Sequence, residues 1–112
     1  MNKDTETIIM NLIADAGSAR SYAMEAIKLA RRGQIEQAME TVSQANQEIL
    51  LAHNSQTRLI QNEAKGGKTE VGLLVVHAQD LIMDAMVIRD LADEFIEIYR
   101  RLGNVENCLN AD

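Results

Sequence analysis

The chain contains only two histidines, and one of them keeps acidic company. His77 is followed by Asp80 three residues on and by Asp84 seven residues on. At 3.6 residues per turn, that spacing projects all three side chains from one face of a helix. On spacing alone such a row suits a solvated helix face. The row continues, however, into Leu73, Val87 and Leu91. Polar groups set within an apolar stripe need partners, which favours a functional site or a subunit interface. His53 follows Ala52 at the edge of another apolar stripe and reads as a hydrogen-bonded structural residue.

A metalloprotease would need two histidines at i and i+4 with a glutamate between them, and the chain has no such pair. A di-iron bundle would need Glu-x-x-His, but Leu50 and Leu74 stand three residues before His53 and His77. Nucleophilic catalysis by a single histidine remains. A neutral imidazole can attack a phosphoryl group and hold it as a labile phosphoramidate, which takes one accessible histidine and no triad. Nearby carboxylates would disfavour the dianionic group and keep its transfer potential high, whereas an arginine clamp would trap it. No arginine lies in the turn on either side of His77, and Arg89 is three turns away. Asp84 is therefore a candidate for keeping the phosphoryl group labile. Cys108, the single cysteine, excludes an intramolecular disulfide framework, suits a reducing compartment and reads as an incidental free thiol.

Helices must position these residues. The 112-residue chain fits one domain, 1–112, with no proline, six glycines and few aromatics. Ala, Leu, Ile, Met, Glu and Gln dominate, and these are helix formers, so the expected fold is all-α. Glycines punctuate three long segments, predicted as helices over about 4–32, 34–64 and 70–102, with a frayed tail over 103–112. The first carries an alternating three-and-four seam of Ile9, Leu12, Ala16, Ala19, Ala23, Ala26 and Ala30, and ends at Gly33, a natural C′ residue. The second reads Ile35, Ala38, Val42, Ala45, Ile49, Ala52, Gln56 and Leu59. Lys65-Gly66-Gly67-Lys68 then breaks the chain. It lacks the rest of a phosphate-loop pattern and reads as a plain mobile loop, with Thr69 the expected N-cap of the third helix.

The third segment has one seam through Leu74, Ala78, Leu81, Ala85, Ile88, Ala92, Phe95, Tyr99 and Leu102, beside the row that holds His77. Two adjacent apolar rows are wider than one helix contact requires, so this helix either occupies the middle of its bundle or packs against other subunits. Arg100 and Arg101 ahead of Gly103 read as a helix end. Helices of about 45 Å joined by short connections imply an up-down-up antiparallel three-helix bundle. Alanine-rich faces bury little area per residue, so association would help so small a bundle.

The formal net charge is −6 with both signs interspersed, which weighs against nucleic acid as a partner. The apolar run Val71 to Val76 is far short of the roughly 20 residues of a membrane-spanning helix. The acidic start Met1-Asn2-Lys3-Asp4-Thr5-Glu6 lacks the basic region of a signal peptide, so the expected location is cytoplasmic.

The stretch Leu73-Leu74-Val75-Val76-His77-Ala78-Gln79-Asp80-Leu81-Ile82-Met83 resembles the active-site helix of the lactose/cellobiose-type IIA proteins of the sugar phosphotransferase system, whose signature is His-Ala-Gln-Asp-His-Leu-Met. Gly17-Ser18-Ala19-Arg20-Ser21 is similar to that family's first helix, and Ala52-His53 with Gln56-Thr57-Arg58-Leu59-Ile60 to the end of its second. The similarity runs from about Ile8 to Leu102. The resemblance implies a homotrimer with the third helices near the threefold axis. It implies that His77 accepts a phosphoryl group from the histidine of HPr and passes it to a cysteine of the IIB component, which phosphorylates a disaccharide entering through the membrane IIC permease. It further implies that Asp80 clusters with its symmetry mates, where three carboxylates would hold a structural divalent cation, magnesium being the expected one. Sugar selectivity would lie mainly in the membrane component. Leu81 and Ile82 depart from the motif, which usually has histidine and leucine there.

HPr and IIB would dock in turn on a shallow apolar surface around His77, where Met83 and Met86 could adapt to both or simply pack the core. Two alternatives are a histidine phosphotransfer domain of two-component signalling and a non-enzymatic helical adaptor. The first lacks its usual His-x-x-Lys-Gly pattern, since Asp80 and Leu81 occupy those places.

Overall fold

The structure, a computed structural model, describes residues 2–111. Three helices account for nearly all of them: α1 (Lys3–Arg31), α2 (Ile35–Ala64) and α3 (Leu73–Leu109). They form a rod of 69 × 21 × 16 Å. The start of α1 lies beside the end of α2, and α3 runs antiparallel to α2, which gives the expected up-down-up order. α1 is the central helix, packed along both others, while α2 and α3 meet least.

The core follows from the sequence seams. Every residue of the α1 seam is buried, from Ile9 to Ala30. At one end of the rod Ala23, Ala26, Ala30, Ala38, Val42, Ala45, Ala92 and Ile96 close the helices on one another. With methyl groups as the main packing units, the helix axes approach closely. At the other end larger residues fill the space, with Ile9, Leu12, Leu59 and Ile82 packed around Ala16, Ala52 and Ala78. His77 belongs to this end.

Both turns between helices use glycine in the left-handed region. Gly33 (φ 84°) follows the last turn of α1, where its N–H reaches the Ala30 carbonyl and that of Gln34 reaches Leu29 at 2.9 Å. Gly66 (φ 93°) does the same for α2: its N–H donates to Glu63 and that of Gly67 to Asn62, both at 3.0 Å. These paired bonds satisfy carbonyls that the helix end leaves orphaned. They also commit both loop N–H groups to α2, so the glycine pair is no phosphate cradle.

Three expectations for α3 need correction. Thr69 does not cap it. The helix starts at Leu73 after extended backbone, Gly72 at its N-cap offers no side chain, and the Thr69 Oγ1 is buried without a hydrogen-bond partner. Nor does α3 stop at Gly103; it runs to Leu109, so the segment expected to fray is helical. A mid-helix glycine costs only about 1 kcal/mol, and Arg100 and Arg101 reach back to Glu97 instead of capping a helix end. Finally, the buried face is Ala78, Ile82, Ala85, Ala92 and Ile96, whereas Leu74, Phe95 and Leu102 of the expected seam are exposed. The true core face is turned by one position, toward the groove between α1 and α2.

Candidate functional site

His77 lies in the second turn of α3, and its Cβ, like every helical Cβ, leans toward the N-terminal end. The imidazole therefore lies over the first turn, where Leu73, Leu74 and His77 line an open depression of about 540 Å³. Leu73 is 86% exposed. His77 is itself exposed and makes no hydrogen bond or ion pair among the described residues. A histidine used for packing would be inside; this one is presented on an apolar surface.

Asp80 and Asp84 are also exposed and make no hydrogen bond or ion pair among the described residues. The row expected from the sequence is thus a real surface: His77, Asp80 and Asp84 share it with exposed Leu73, Val87 (56%), Leu91 and Ile98 (57%). Below them the apolar row is continued by Phe95, Leu102, Val105 and Leu109. Since α1 takes the middle of the bundle, the width of the α3 stripe is not used up within one chain. Phe95 and Tyr99 stack with ring centroids 6.3 Å apart, a half-open aromatic pair on this side of α3.

Arg89 is engaged elsewhere, donating to Asp90 at 2.8 Å and to Asn46 on α2 at 3.2 Å. It is not available to clamp a phosphoryl group on His77. Met83 is exposed and free to meet a partner, while Met86 packs against the core. Leu81, at the place of the motif's second histidine, is half-buried against α1. It shares an open groove of about 620 Å³ with Ile13, Gly17, Ser21 and Tyr22, and its Cδ2 lies 3.9 Å from where a Cβ on Gly17 would sit. An aliphatic side chain suits that wall.

His53 is exposed and makes no hydrogen bond among the described residues, so its expected role as a bonded structural residue is not met. Cys108 is exposed on the last turn of α3. Among the described residues no three His, Cys, Asp or Glu side chains gather to hold a metal within one chain. Asp80 is nonetheless chemically suited to a hard cation, with a carboxylate unspent on any partner among the described residues. A feature that the spacing of residues does not disclose is a bond between Gln56 Nε2 on α2 and Gln79 Oε1 on α3, 2.7 Å long and partly buried. Only a hint of it stands in the sequence: Gln56 is the one amide in the α2 seam.

An exposed histidine on a half-apolar face of an all-helical rod is an arrangement that suits a helical carrier or docking domain. The family follows from comparison. The profile of the phosphotransferase-system lactose/cellobiose-specific IIA subunit matches residues 7–100, and the chain belongs to that family. It is 49% identical over 102 residues to the lichenan-specific phosphotransferase enzyme IIA component of Bacillus subtilis (strain 168), covering 91% of this chain and 93% of that protein. It is 39% identical over 100 residues to the N,N'-diacetylchitobiose-specific EIIA component of Escherichia coli (strain K12), covering 89% and 86%. The crystal structure of the cellobiose-specific enzyme IIA from Bacillus anthracis superposes with a TM-score of 0.89 at 44% identity, covering 93% of this chain and 95% of that one. The IIA(chitobiose) chain solved in complex with HPr, from the N,N'-diacetylchitobiose branch of the Escherichia coli system, superposes with a TM-score of 0.77 at 37% identity, covering 91% and 99%.

Proposed function

We propose that this chain is a phosphocarrier of a disaccharide phosphotransferase system, accepting the phosphoryl group of phospho-HPr on His77 and delivering it to the cysteine of a IIB component. The observation that carries the reading is the exposed His77 imidazole over an open apolar depression. A relative of the same fold solved together with HPr supports the choice of donor.

In the transfer, the lone pair of a neutral His77 nitrogen attacks phosphorus as the P–N bond to the HPr histidine breaks. The bonding pair returns to the HPr imidazole. In the second step a thiolate sulfur attacks, an S–P bond forms, and the pair of the broken N–P bond returns to His77. Arg89 supplies no clamp for the phosphoryl oxygens, since it is bound to Asp90 and Asn46. A group held without a clamp passes on readily. Leu73, Leu74 and exposed Met83 offer each partner the same shallow apolar surface.

The working molecule is a homotrimer packed through the exposed row of α3. Leu91, Phe95, Ile98, Leu102, Val105 and Leu109 recur at alternating steps of four and three, the spacing of a coiled-coil seam. Three Asp80 carboxylates brought together there would repel, and a bound divalent cation such as magnesium would relieve them. The trimer acts in the cytoplasm and reaches the IIC permease only through IIB. In keeping with this, no helix among the described residues is long and apolar enough to cross a membrane.

The deciding experiment is intact-mass analysis after incubation with phosphoenolpyruvate, enzyme I and HPr, beside a His77→Ala variant. One acid-labile phosphoryl adduct, lost in the variant, is expected. An adduct that survives the substitution, or none with competent HPr, would overturn the proposal.

A further inference from the structure

The turn that carries His77 is lightly moored. The N-cap of α3 is Gly72, with no side-chain bond, and no acidic residue sits in the first turn. Val71, Leu73, Leu74 and Val76 around it are exposed. From within, Val75, Ala78 and Ile82 hold this end of α3 to the core. Across to α2 there is little packing. Among the described residues, two side-chain hydrogen bonds join these helices: Gln56 to Gln79 at 2.7 Å and Arg89 to Asn46 at 3.2 Å.

The first of these lies in the same turn as His77. It is partly buried, where water competes less for the amides, while the second is exposed. Gln56 occupies a seam position whose neighbours Ile49, Ala52 and Leu59 are buried. An aliphatic side chain there would remove more apolar area from water, so packing gives no reason for an amide. Its polar end is spent on α3.

The geometry points to Gln56 as a positioning residue for phosphoryl transfer through His77. By holding Gln79, its amide fixes the second turn of α3 against α2. The imidazole then meets an incoming partner at one place instead of a range of places. The residue acts through Gln79 and the α3 backbone, and takes no part in bond making. This role rests on the carrier function proposed for His77.

The test uses the full chain with phospho-HPr. Gln56→Met keeps the volume and removes the donor. Gln56→Glu keeps a partner, because the Gln79 amide can turn its NH2 toward a carboxylate. Rapid-quench transfer rates, the KM for phospho-HPr, thermal melts and amide exchange over residues 75–79 are compared. For Gln56→Met, the transfer rate at saturating HPr should fall on the order of tenfold, as expected of a misplaced nucleophile. KM should hold, the bundle should stay folded at the assay temperature, and faster exchange should be confined to the start of α3. Gln56→Glu should restore the rate. A Gln56→Met variant at the wild-type rate overturns the inference, as does a loss that Gln56→Glu leaves in place or that accompanies unfolding. A wild type that acquires no phosphoryl group overturns the carrier function itself, and this role with it, so the two failures are told apart.

Discussion

At the scale of single residues, the field around His77 decides how long a phosphoryl group stays. Asp84 lies seven residues along α3, a rise of about 10 Å. Across that distance, even with the screening of water, a carboxylate opposes a dianionic group by enough to change its lifetime roughly two- to fourfold. Asp84→Asn should therefore lengthen the life of the phosphohistidine by that factor, measured by loss of the acid-labile adduct. Unchanged lifetime and unchanged equilibrium with HPr would remove Asp84 from the mechanism. Farther down the helix, hydrogen bonds first from Arg100 and then from Arg101 hold the Glu97 carboxyl below the usual carboxylate range, and the same bond raises Arg100. A folded value below the unfolded one means that the cluster stabilises the fold above the ordinary glutamate range, and that this is lost as pH falls through the folded value. Both side chains are substantially solvated, at 41% and 48% exposure, so the effect is small. Glu97→Gln should lower the thermal midpoint slightly at neutral pH and leave it unchanged near pH 2.

At the scale of elements, two glycines that look alike in the sequence carry opposite predictions. Gly33→Ala forces a Cβ into the left-handed region and should cost about 1–2 kcal/mol. Gly103→Ala adds a methyl in open space inside a helix and should stabilise by about 0.5–1 kcal/mol. Urea denaturation of each variant measures both. The same contrast shows what the sequence made legible. Gly33 could be read because the α1 seam stops there and cations precede it. Gly103 misled because the arginines before it serve Glu97, and a pairing partner three residues back looks like a helix-end signal in one dimension. The α1 seam was legible to the residue because its members repeat at unbroken steps of three and four from Ile9 to Ala30. α3 was not, because two apolar rows compete and composition does not tell which faces the core. Ile82 and Ile96 were missed for that reason. The exposed row of His77, Asp80 and Asp84 was legible from its spacing on one face; the Gln56–Gln79 bond joins positions 23 apart in sequence and needed the fold.

At the scale of the whole molecule, the exposed row of α3 predicts assembly. Sedimentation should show one larger species for the wild type and monomers for Leu91→Lys or Ile98→Asp, with a thermal midpoint that rises with protein concentration only in the wild type. If the wild type assembles and its Asp80 carboxylates share a cation, chelators should loosen that assembly, and Asp80→Leu should make its stability indifferent to them. Relatives in this family are named for lichenan and for diacetylchitobiose, so the family is shared while the sugar differs.

The alanine-lined half of the rod sets an unusual pattern of vulnerability. In most interiors damage comes from truncation, which leaves a hollow. Ala23, Ala26, Ala30, Ala38, Ala45 and Ala92 have almost nothing to remove. Here harm comes from growth: one added isobutyl group acts as a wedge that parts helices lying methyl to methyl. Substitution at these positions should therefore be tolerated only by very small side chains, whereas the bulkier half around Ile9, Leu12 and Ile82 should accept one aliphatic for another. The two halves of one rod are thus open to different kinds of change, and the half beside His77 is the more adaptable.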